Sequence, residues 1–215
     1  MMNFSQCRES GLISDLQRIV LSTPHLMNIL KILRELDLPD AWLVSGAIYQ
    51  TVWNRLTARS PMNGIKDFDV IYFDSCDLSY EAEDRVIQRV RAALPDLADR
   101  LEIKNQARVH FWFEQRFGHP YPQLETSLQS LENYASKTHA VAVRLTKMGT
   151  LDIQAPFGLQ DIFALRLTPN TRLANEKTYR EKAARMTRVW PELTVIPWPE
   201  TASKQVAAKP LPVQN

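Results

Sequence analysis

Two aspartates stand one residue apart at the start of an apolar run, in the stretch NGIKDFDVIYFD of residues 63–74. In an extended strand the side chains alternate between faces, so Asp67 and Asp69 would point the same way while Phe68 and Val70 point the other way. Two carboxylates held that close repel each other unless a cation lies between them. The spacing therefore suits a divalent metal ion bound by oxygen ligands, although solvated aspartates at the start of a strand fit the pattern equally well.

A turn with a glycine precedes this strand in the chain, between a short buried strand and a helix. The short strand is AWLV, and the turn is Ser45-Gly46. The helix AIYQTVWNRL carries apolar residues at three- and four-residue spacing, as a helix with one buried face does. An earlier helix begins at Thr23 and Pro24, a suitable N-cap and first residue, and Pro39 ends it. The chain therefore runs helix, strand, glycine turn and helix before it reaches the aspartate strand.

The rest of the chain mixes further helices and strands. A helix follows the aspartates in YEAEDRVIQRVRAAL, and the next two strands are predicted at LEIK and RVHFWF. On the second of these strands, Arg108 and His110 would share one face. The remaining predicted elements are a short helix near TSLQSLENY, a hairpin of HAVAVRLT and TLDIQA, and C-terminal helices in LQDIFALRL and ANEKTYREKAARMTRVW.

Length and composition indicate one ordinary globular unit. We expect a single domain over residues 1–196 and a proline-rich, disordered tail over residues 197–215. The net charge of +2 gives no sign of a basic stripe that would bind DNA. Cys7 and Cys76 form no paired pattern, no stretch is apolar enough to span a membrane, and the start lacks a signal-peptide pattern. These features predict a cytoplasmic protein.

The order of strand, glycine turn, helix and Asp-x-Asp strand resembles the nucleotidyltransferase fold of the DNA polymerase β superfamily. The matching residues are Ser45, Gly46, Asp67 and Asp69. Together, NGIKDFDVIYFD, KNQARVHFWF, AVAVRL, APFGLQDIFALRLTPN and WPEL are similar to a bacterial group of nucleotidyltransferase-like proteins. The resemblance implies an α/β (α+β) fold, in which helices flank a mixed sheet and further helices follow at the C-terminus.

The resemblance also implies a metal-dependent transfer of a nucleoside monophosphate from a nucleoside triphosphate (NTP). Asp67 and Asp69 would hold Mg²⁺ or Mn²⁺ and act in catalysis. Ser45 and Gly46 would let the backbone approach the triphosphate, and the following helix would offer its N-terminus to the phosphate oxygens. The acceptor could be a small molecule, a protein or RNA, and the sequence does not identify it.

A third carboxylate usually completes such a site, and two residues qualify. Glu102 and Asp152 each have an apolar residue on both sides, and the apolar-Asp-apolar pattern favours Asp152. Chain order favours Glu102, because sequential strands tend to be neighbours whereas Asp152 belongs to a later hairpin. Lys66, Arg108 and His110 are candidates for binding phosphate or substrate, although ordinary surface charges and cross-strand pairs explain them equally well.

Two other functions are compatible with the same residues. A catalytically inactive module that binds nucleotide or a partner would keep the fold without turnover, because fold does not determine activity. In this chain Ser45 precedes Gly46, the reverse of the superfamily's usual order, which favours that alternative. A hydrolase of phosphate esters could use the same metal, and it would release inorganic phosphate instead of pyrophosphate.

Overall fold

A computed structural model describes residues 4–200 of the chain. The described helices are α1 (Phe4–Leu21), α2 (Pro24–Leu36), α3 (Gly46–Leu56), α4 (Tyr80–Ala93), α5 (Val109–Phe117), α6 (Gln160–Phe163) and α7 (Glu176–Val189). The described strands are β1 (Trp42–Val44), β2 (Phe68–Tyr72), β3 (Leu101–Asn105), β4 (Ala142–Leu145), β5 (Leu151–Gln154), β6 (Arg166–Leu167) and β7 (Thr194–Val195).

Five of the strands form one mixed sheet in the order β3-β2-β1-β4-β5. β2 and β3 are parallel, and helix α4 connects them, as a parallel pair requires. The other neighbours in this sheet are antiparallel. β6 and β7 form a separate two-stranded parallel sheet. The predicted α/β fold, a mixed sheet flanked by helices, is confirmed.

The two faces of the five-stranded sheet have different partners. One face packs against the helices and contributes Leu43, Phe68 and Val70 to the large hydrophobic core. The opposite face carries Trp42 and Val44 of β1 in a smaller apolar cluster that also contains Leu131. Because side chains alternate along a strand, Asp69 of β2 belongs to this second face. The aspartate strand therefore has an apolar side toward the core and an acidic side toward the second face.

The segment RVHFWF is a helix and not the predicted strand. α5 covers Val109–Phe117, and Arg108 precedes it in a short 3-10 turn that the Asn105 side chain caps. Arg108 also forms an ion pair with Glu83 of α4. These contacts turn the chain out of the sheet directly after β3. The prediction that Arg108 and His110 share a strand face is therefore wrong.

Two further differences concern helices α6 and α1. The segment LQDIFALRL, predicted as a helix, is helical only over Gln160–Phe163, and Leu165 then adopts a positive φ of 51° before β6. Helix α1 was not predicted, although Leu12, Leu16 and Ile19 give it an apolar face against the core. Both elements lie away from the aspartates, so neither changes the predicted site.

The packed part of the chain extends beyond the boundary predicted at residue 196. Trp198 is 5% exposed and packs with Tyr179 of α7 and with Ala135. Residues 201–215, which make up most of the tail predicted to be disordered, lie outside the described residues.

Candidate functional site

The turn between β1 and α3 has a strained backbone at its first residue. Ser45 has φ 57° and ψ −116°, a region that glycine adopts easily and other residues rarely. Neighbouring backbone holds it there, because its amide donates to the Val141 carbonyl over 2.8 Å and its carbonyl accepts from the Ile48 amide over 2.9 Å. At Gly46 an added Cβ would come within 2.9 Å of Gln50 Nε2, so a side chain there would displace Gln50. Backbone strain of this kind is typical of ligand-binding turns.

Asp69 and Glu102 lie side by side on neighbouring strands. β2 and β3 are parallel, and their register pairs Asp69 with Glu102. Residues paired in this way project from the same face of the sheet, so both carboxylates belong to the same side. Asp67 stands one residue before β2 in the same alternation, and Phe68 and Val70 are fully buried on the other face. The predicted pair and one of the two candidate third carboxylates thus lie together.

A cleft of about 580 Å³ opens over Asp69 and Glu102. Ser45, Asp69 and Glu102 belong to its floor. Residues of α5 and the loop after it form one wall, and residues of α7, including Lys182, form another. The volume is in the range of pockets that take small molecules and cofactors.

The charges around Asp69 repel one another. Burial raises the pKa of Asp69 to about 7, and the Asp67 carboxylate adds to the rise, while Lys182 opposes it. Burial also lowers the pKa of Lys182, although the charges of Asp69 and Asp67 act in the other direction. The carboxylates near Asp69 therefore interact beside Lys182 and Lys104, and a bound cation would relieve the repulsion among the carboxylates.

Three residues lock the loop before β2 to the end of α7, and we call them the loop–α7 clamp: Asn54, Gly64 and Trp190. Asn54 Nδ2 donates to the carbonyl of Asn63 over 2.8 Å, and Trp190 Nε1 donates to Asn54 Oδ1 over 3.0 Å. Gly64 has φ 71°, and a Cβ at this position would lie only 2.4 Å from the Trp190 ring. The clamp fixes the loop that leads to Asp67 against the helix that carries Lys182.

The sequence matches a model of a known protein family. A sequence model of a family described as Nucleotidyltransferase matches residues 31–195. The chain belongs to this nucleotidyltransferase family. The matched range includes the turn at Ser45, both aspartates and the whole of α7. No curated protein matches the chain.

Two solved structures are similar to this nucleotidyltransferase. The first is an NMR structure described as a CCA-adding enzyme head domain, with a TM-score of 0.70, 26% identity, and coverage of 86% of this chain and 96% of that one. The second is a CCA-adding enzyme in apo form I, with a TM-score of 0.46, 14% identity, and coverage of 91% of this chain and 45% of that one.

Within residues 4–200, no helix is both long and apolar enough to cross a membrane.

The acidic residues of this nucleotidyltransferase fit a hard divalent ion by their chemistry. Carboxylate oxygens are the protein ligands that Mg²⁺ prefers, and it usually combines one or two of them with water and substrate phosphates. Asp67 and Asp69 are close enough for their charges to interact, as the raised pKa of Asp69 indicates. Among the described residues, no group of three or more His, Cys, Asp and Glu side chains is arranged to hold a metal. The donor set therefore suits an ion held by the two aspartates and completed by other oxygens.

Asp152, the other candidate for the third carboxylate, lies at the far edge of the sheet. β5 is three strands away from β2, which corresponds to about 14 Å at the usual spacing between strands. Arg144 Nε donates to Asp152 Oδ2 over 3.0 Å, and the same guanidinium stacks on the Trp42 ring at 4.1 Å. The structure brings Glu102 next to Asp69 and holds Asp152 in an ion pair outside the cleft.

Four predicted binding residues, Gly46, Lys66, Arg108 and His110, are not among the residues that line the cleft, and neither is Asp67. Lys66 is exposed, and His110 is half-buried on α5. Arg108 is engaged elsewhere, because it pairs with Glu83 and its Nε donates to the Leu78 carbonyl over 2.9 Å. The described contacts of Arg108 therefore connect α5 to α4 and the loop before it.

Two residues of the cleft were missed or assigned another role from sequence. Lys182 was not singled out, and its only signal is its place next to Ala183 in the apolar stripe of α7. Aromatic residues at helix or strand spacing are usually core residues, and Trp42 and Trp53 are buried accordingly. Trp112 is instead half-buried on the cleft wall. Aromatic residues in RVHFWF favoured a strand, and that error concealed the face on which Trp112 lies.

Proposed function

We propose that the protein transfers a nucleoside monophosphate from an NTP to an acceptor hydroxyl or phosphate in a metal-dependent reaction. The observation that carries the proposal is the pairing of Asp69 with Glu102 in a cleft that also contains the turn at Ser45. Membership of a nucleotidyltransferase family supports the same reaction.

The turn and helix α3 would bind the triphosphate. The first amides of a helix have no partner within the helix, and they attract anionic oxygens together with the helix dipole. The Ser45 hydroxyl caps no amide of α3, and it is available for a phosphate oxygen. Gly46 lets that oxygen approach the backbone because it has no side chain.

The acidic residues would have separate roles in metal binding and proton transfer. Asp67 and Asp69 would hold Mg²⁺ or Mn²⁺, which would offset the charge that develops on the phosphate oxygens during transfer. Glu102 lies beside them and would accept the proton of the acceptor hydroxyl. Lys182 on the opposite wall would neutralise the departing pyrophosphate.

The direct test is incubation with labelled NTPs, Mg²⁺ or Mn²⁺ and candidate acceptors from a cell lysate. CTP and ATP come first, because the more similar solved structure is described as part of a CCA-adding enzyme. The proposal predicts a labelled acceptor and one pyrophosphate for each transfer. Release of inorganic phosphate would instead identify a hydrolase of phosphate esters.

Substitutions of three carboxylates test whether that activity depends on the cleft. Asp69→Asn and Glu102→Gln should lose transfer, whereas Asp152→Asn should retain it because Asp152 lies outside the cleft. Equal transfer by wild type and Asp69→Asn would contradict the proposed site. Loss of transfer in Asp152→Asn with full transfer in Glu102→Gln would move the third carboxylate to the hairpin.

A second candidate is an inactive module that binds nucleotide or a partner on the same fold. The observation that favours it is that no group of three acidic side chains is arranged to hold a metal within residues 4–200. Such a module would be stabilised thermally by Mg²⁺ and a non-hydrolysable NTP, and it would form no labelled product with any acceptor.

A further inference from the structure

One face of helix α5 lines the cleft. Five of its residues line the cleft, at the three- and four-residue spacing of one helix face: Val109, Trp112, Phe113, Arg116 and Phe117. In a surface helix such a stripe usually packs against the core. In α5 only Val109 is buried, and Phe117 is 43% exposed. The cleft therefore has an aromatic wall that no described element covers.

The aromatic wall is organised and not a set of isolated side chains. The Phe113 ring contacts the Phe117 ring at 4.5 Å and the Tyr121 ring at 4.4 Å between centroids. Arg116 lies over the Trp112 ring at 6.0 Å and over the Phe117 ring at 5.5 Å. Aromatic faces flanked by a guanidinium are the surfaces on which nucleobases stack.

A polar group in the same cleft lacks a partner. Asn133 lines the cleft and is 6% exposed, and its side-chain oxygen Oδ1 has no hydrogen-bond partner among the described residues. Buried polar groups are usually paired, so an unpaired oxygen in a cleft indicates a missing donor. The exocyclic amino group of adenine or cytosine is a donor of the required kind.

We infer that the aromatic wall of α5, with Trp112 as its stacking residue, binds the base of the NTP whose phosphates lie at Ser45 and Asp69. This inference rests on the proposed function, because it assumes that the triphosphate occupies the floor of the cleft. The occupant is a single nucleotide because the cleft of about 580 Å³ is continuous from Ser45 to Phe117 and has the size of a small-molecule pocket.

The chain contains its own optical probe for the test. The other four tryptophans, Trp42, Trp53, Trp190 and Trp198, are each at most 5% exposed. A base that stacks in the cleft should therefore quench the fluorescence of Trp112 with little effect on the others. The titrations use the full chain with Mg²⁺ and either a non-hydrolysable ATP analogue or inorganic tripolyphosphate, which has the phosphates and lacks the base.

The ATP analogue should quench the fluorescence and bind about tenfold more tightly than tripolyphosphate, the usual contribution of one stacked base. Trp112→Leu should remove the tighter binding of the ATP analogue. It should leave the affinity for tripolyphosphate unchanged, as measured by the shift in thermal midpoint that tripolyphosphate causes. Trp112→Phe should retain most of the tighter binding of the ATP analogue. Phe111→Leu is the matched control, because Phe111 is on the same helix, is 61% exposed and does not line the cleft.

Three results would overturn the inference. Equal affinity for the ATP analogue and tripolyphosphate in wild type, without quenching, would mean that the wall does not bind the base. Quenching by a single-stranded oligonucleotide but not by the analogue would assign the wall to the acceptor. Binding of neither the analogue nor tripolyphosphate would overturn the proposed function as well. If Trp112→Leu does not fold, Trp112→Phe and the wild-type comparison still decide the question.

Discussion

Ser45 is held in a backbone conformation that costs free energy, and its hydroxyl is a candidate phosphate ligand. Ser45→Gly should relieve the strain and raise the thermal midpoint by a few degrees, since strain of this kind is worth about 1–3 kcal/mol and glycine gives part of that back as unfolded-state entropy. The same change should weaken binding of a non-hydrolysable NTP because it removes the hydroxyl. Thermal unfolding with and without nucleotide measures both effects.

Ser45→Ala separates the two effects of that substitution. Alanine keeps the strained φ of 57° and lacks the hydroxyl, so it should lose nucleotide affinity without a gain in stability. If nucleotide affinity is unchanged in both variants, the Ser45 hydroxyl does not bind phosphate.

Asp69 should make the metal-free protein less stable as the pH rises. Its pKa is raised to about 7, so between about pH 4 and pH 7 the folded protein holds a proton that the unfolded chain has released. Asp69→Asn should therefore be more stable than wild type at pH 8 and show no gain at pH 4. We expect about 2 kcal/mol at pH 8, because each pKa unit corresponds to about 1.4 kcal/mol and partial exposure reduces the effect.

Denaturant unfolding in the presence of a chelator measures this difference. Asp152→Asn is the control and should show no such gain at pH 8, because Asp152 is paired with Arg144. A loss of stability for Asp69→Asn at pH 8 would mean that the acidic pair has a structural role.

The loop–α7 clamp connects two elements of the cleft through one glycine. Gly64→Ala should lower the free energy of unfolding by about 3 kcal/mol, because it combines a strained positive φ with a clash against Trp190. Gly149→Ala is the matched control: Gly149 has φ 80°, and an added Cβ there meets nothing within 4 Å. The control should cost about 1 kcal/mol, the part that comes from φ alone.

Urea unfolding of both variants gives the comparison, and the difference between them measures the contact with Trp190. Equal losses in Gly64→Ala and Gly149→Ala would mean that the Trp190 ring moves aside at no cost and that the clamp is loose.

The elements that were predicted correctly from the sequence are those whose hydrophobic pattern agrees with the way they pack in the fold. α2, α3 and α7 have regular apolar stripes, and the aspartate strand alternates buried and acidic residues. That β2 and β3 are neighbours could be predicted from chain order, since sequential strands tend to be adjacent, whereas the register of Asp69 with Glu102 comes from the structure. α5 could not be predicted, because its aromatic residues favour a strand and the ion pair of Arg108 with Glu83, 25 residues away, redirects the chain.

Lys182 of α7 is a residue of the candidate site that local sequence patterns could not predict. Nothing local to Lys182 relates it to Asp69, which is more than a hundred positions earlier in the sequence. Its place in the cleft depends on Trp190 packing edge-on against Trp53 at 5.3 Å, a contact between distant segments. Sequence patterns describe local structure, whereas contacts of this kind arise only from the complete fold.

At the scale of the whole molecule, the packed unit should end near Trp198. Trp198→Ala should lower the free energy of unfolding by about 3 kcal/mol, because it removes the packing of Trp198 against Tyr179 and Ala135. A chain that ends at residue 200 should keep the thermal midpoint of the full chain, because the sequence beyond it has no apolar periodicity to bury. A large loss of stability in the shortened chain would mean that residues such as Val206 and Leu211 pack on the domain.

The loop–α7 clamp also has a consequence for biosynthesis. Asn54 and Trp190 are 136 positions apart, so the ribosome needs roughly 10 s to make Trp190 after Asn54 at ordinary elongation rates. During that interval Trp53 lacks its contact with Trp190, and Asp69 and Glu102 lack Lys182 beside them. The nascent chain should therefore leave the apolar surface around Trp53 partly uncovered until α7 and Trp190 have been made.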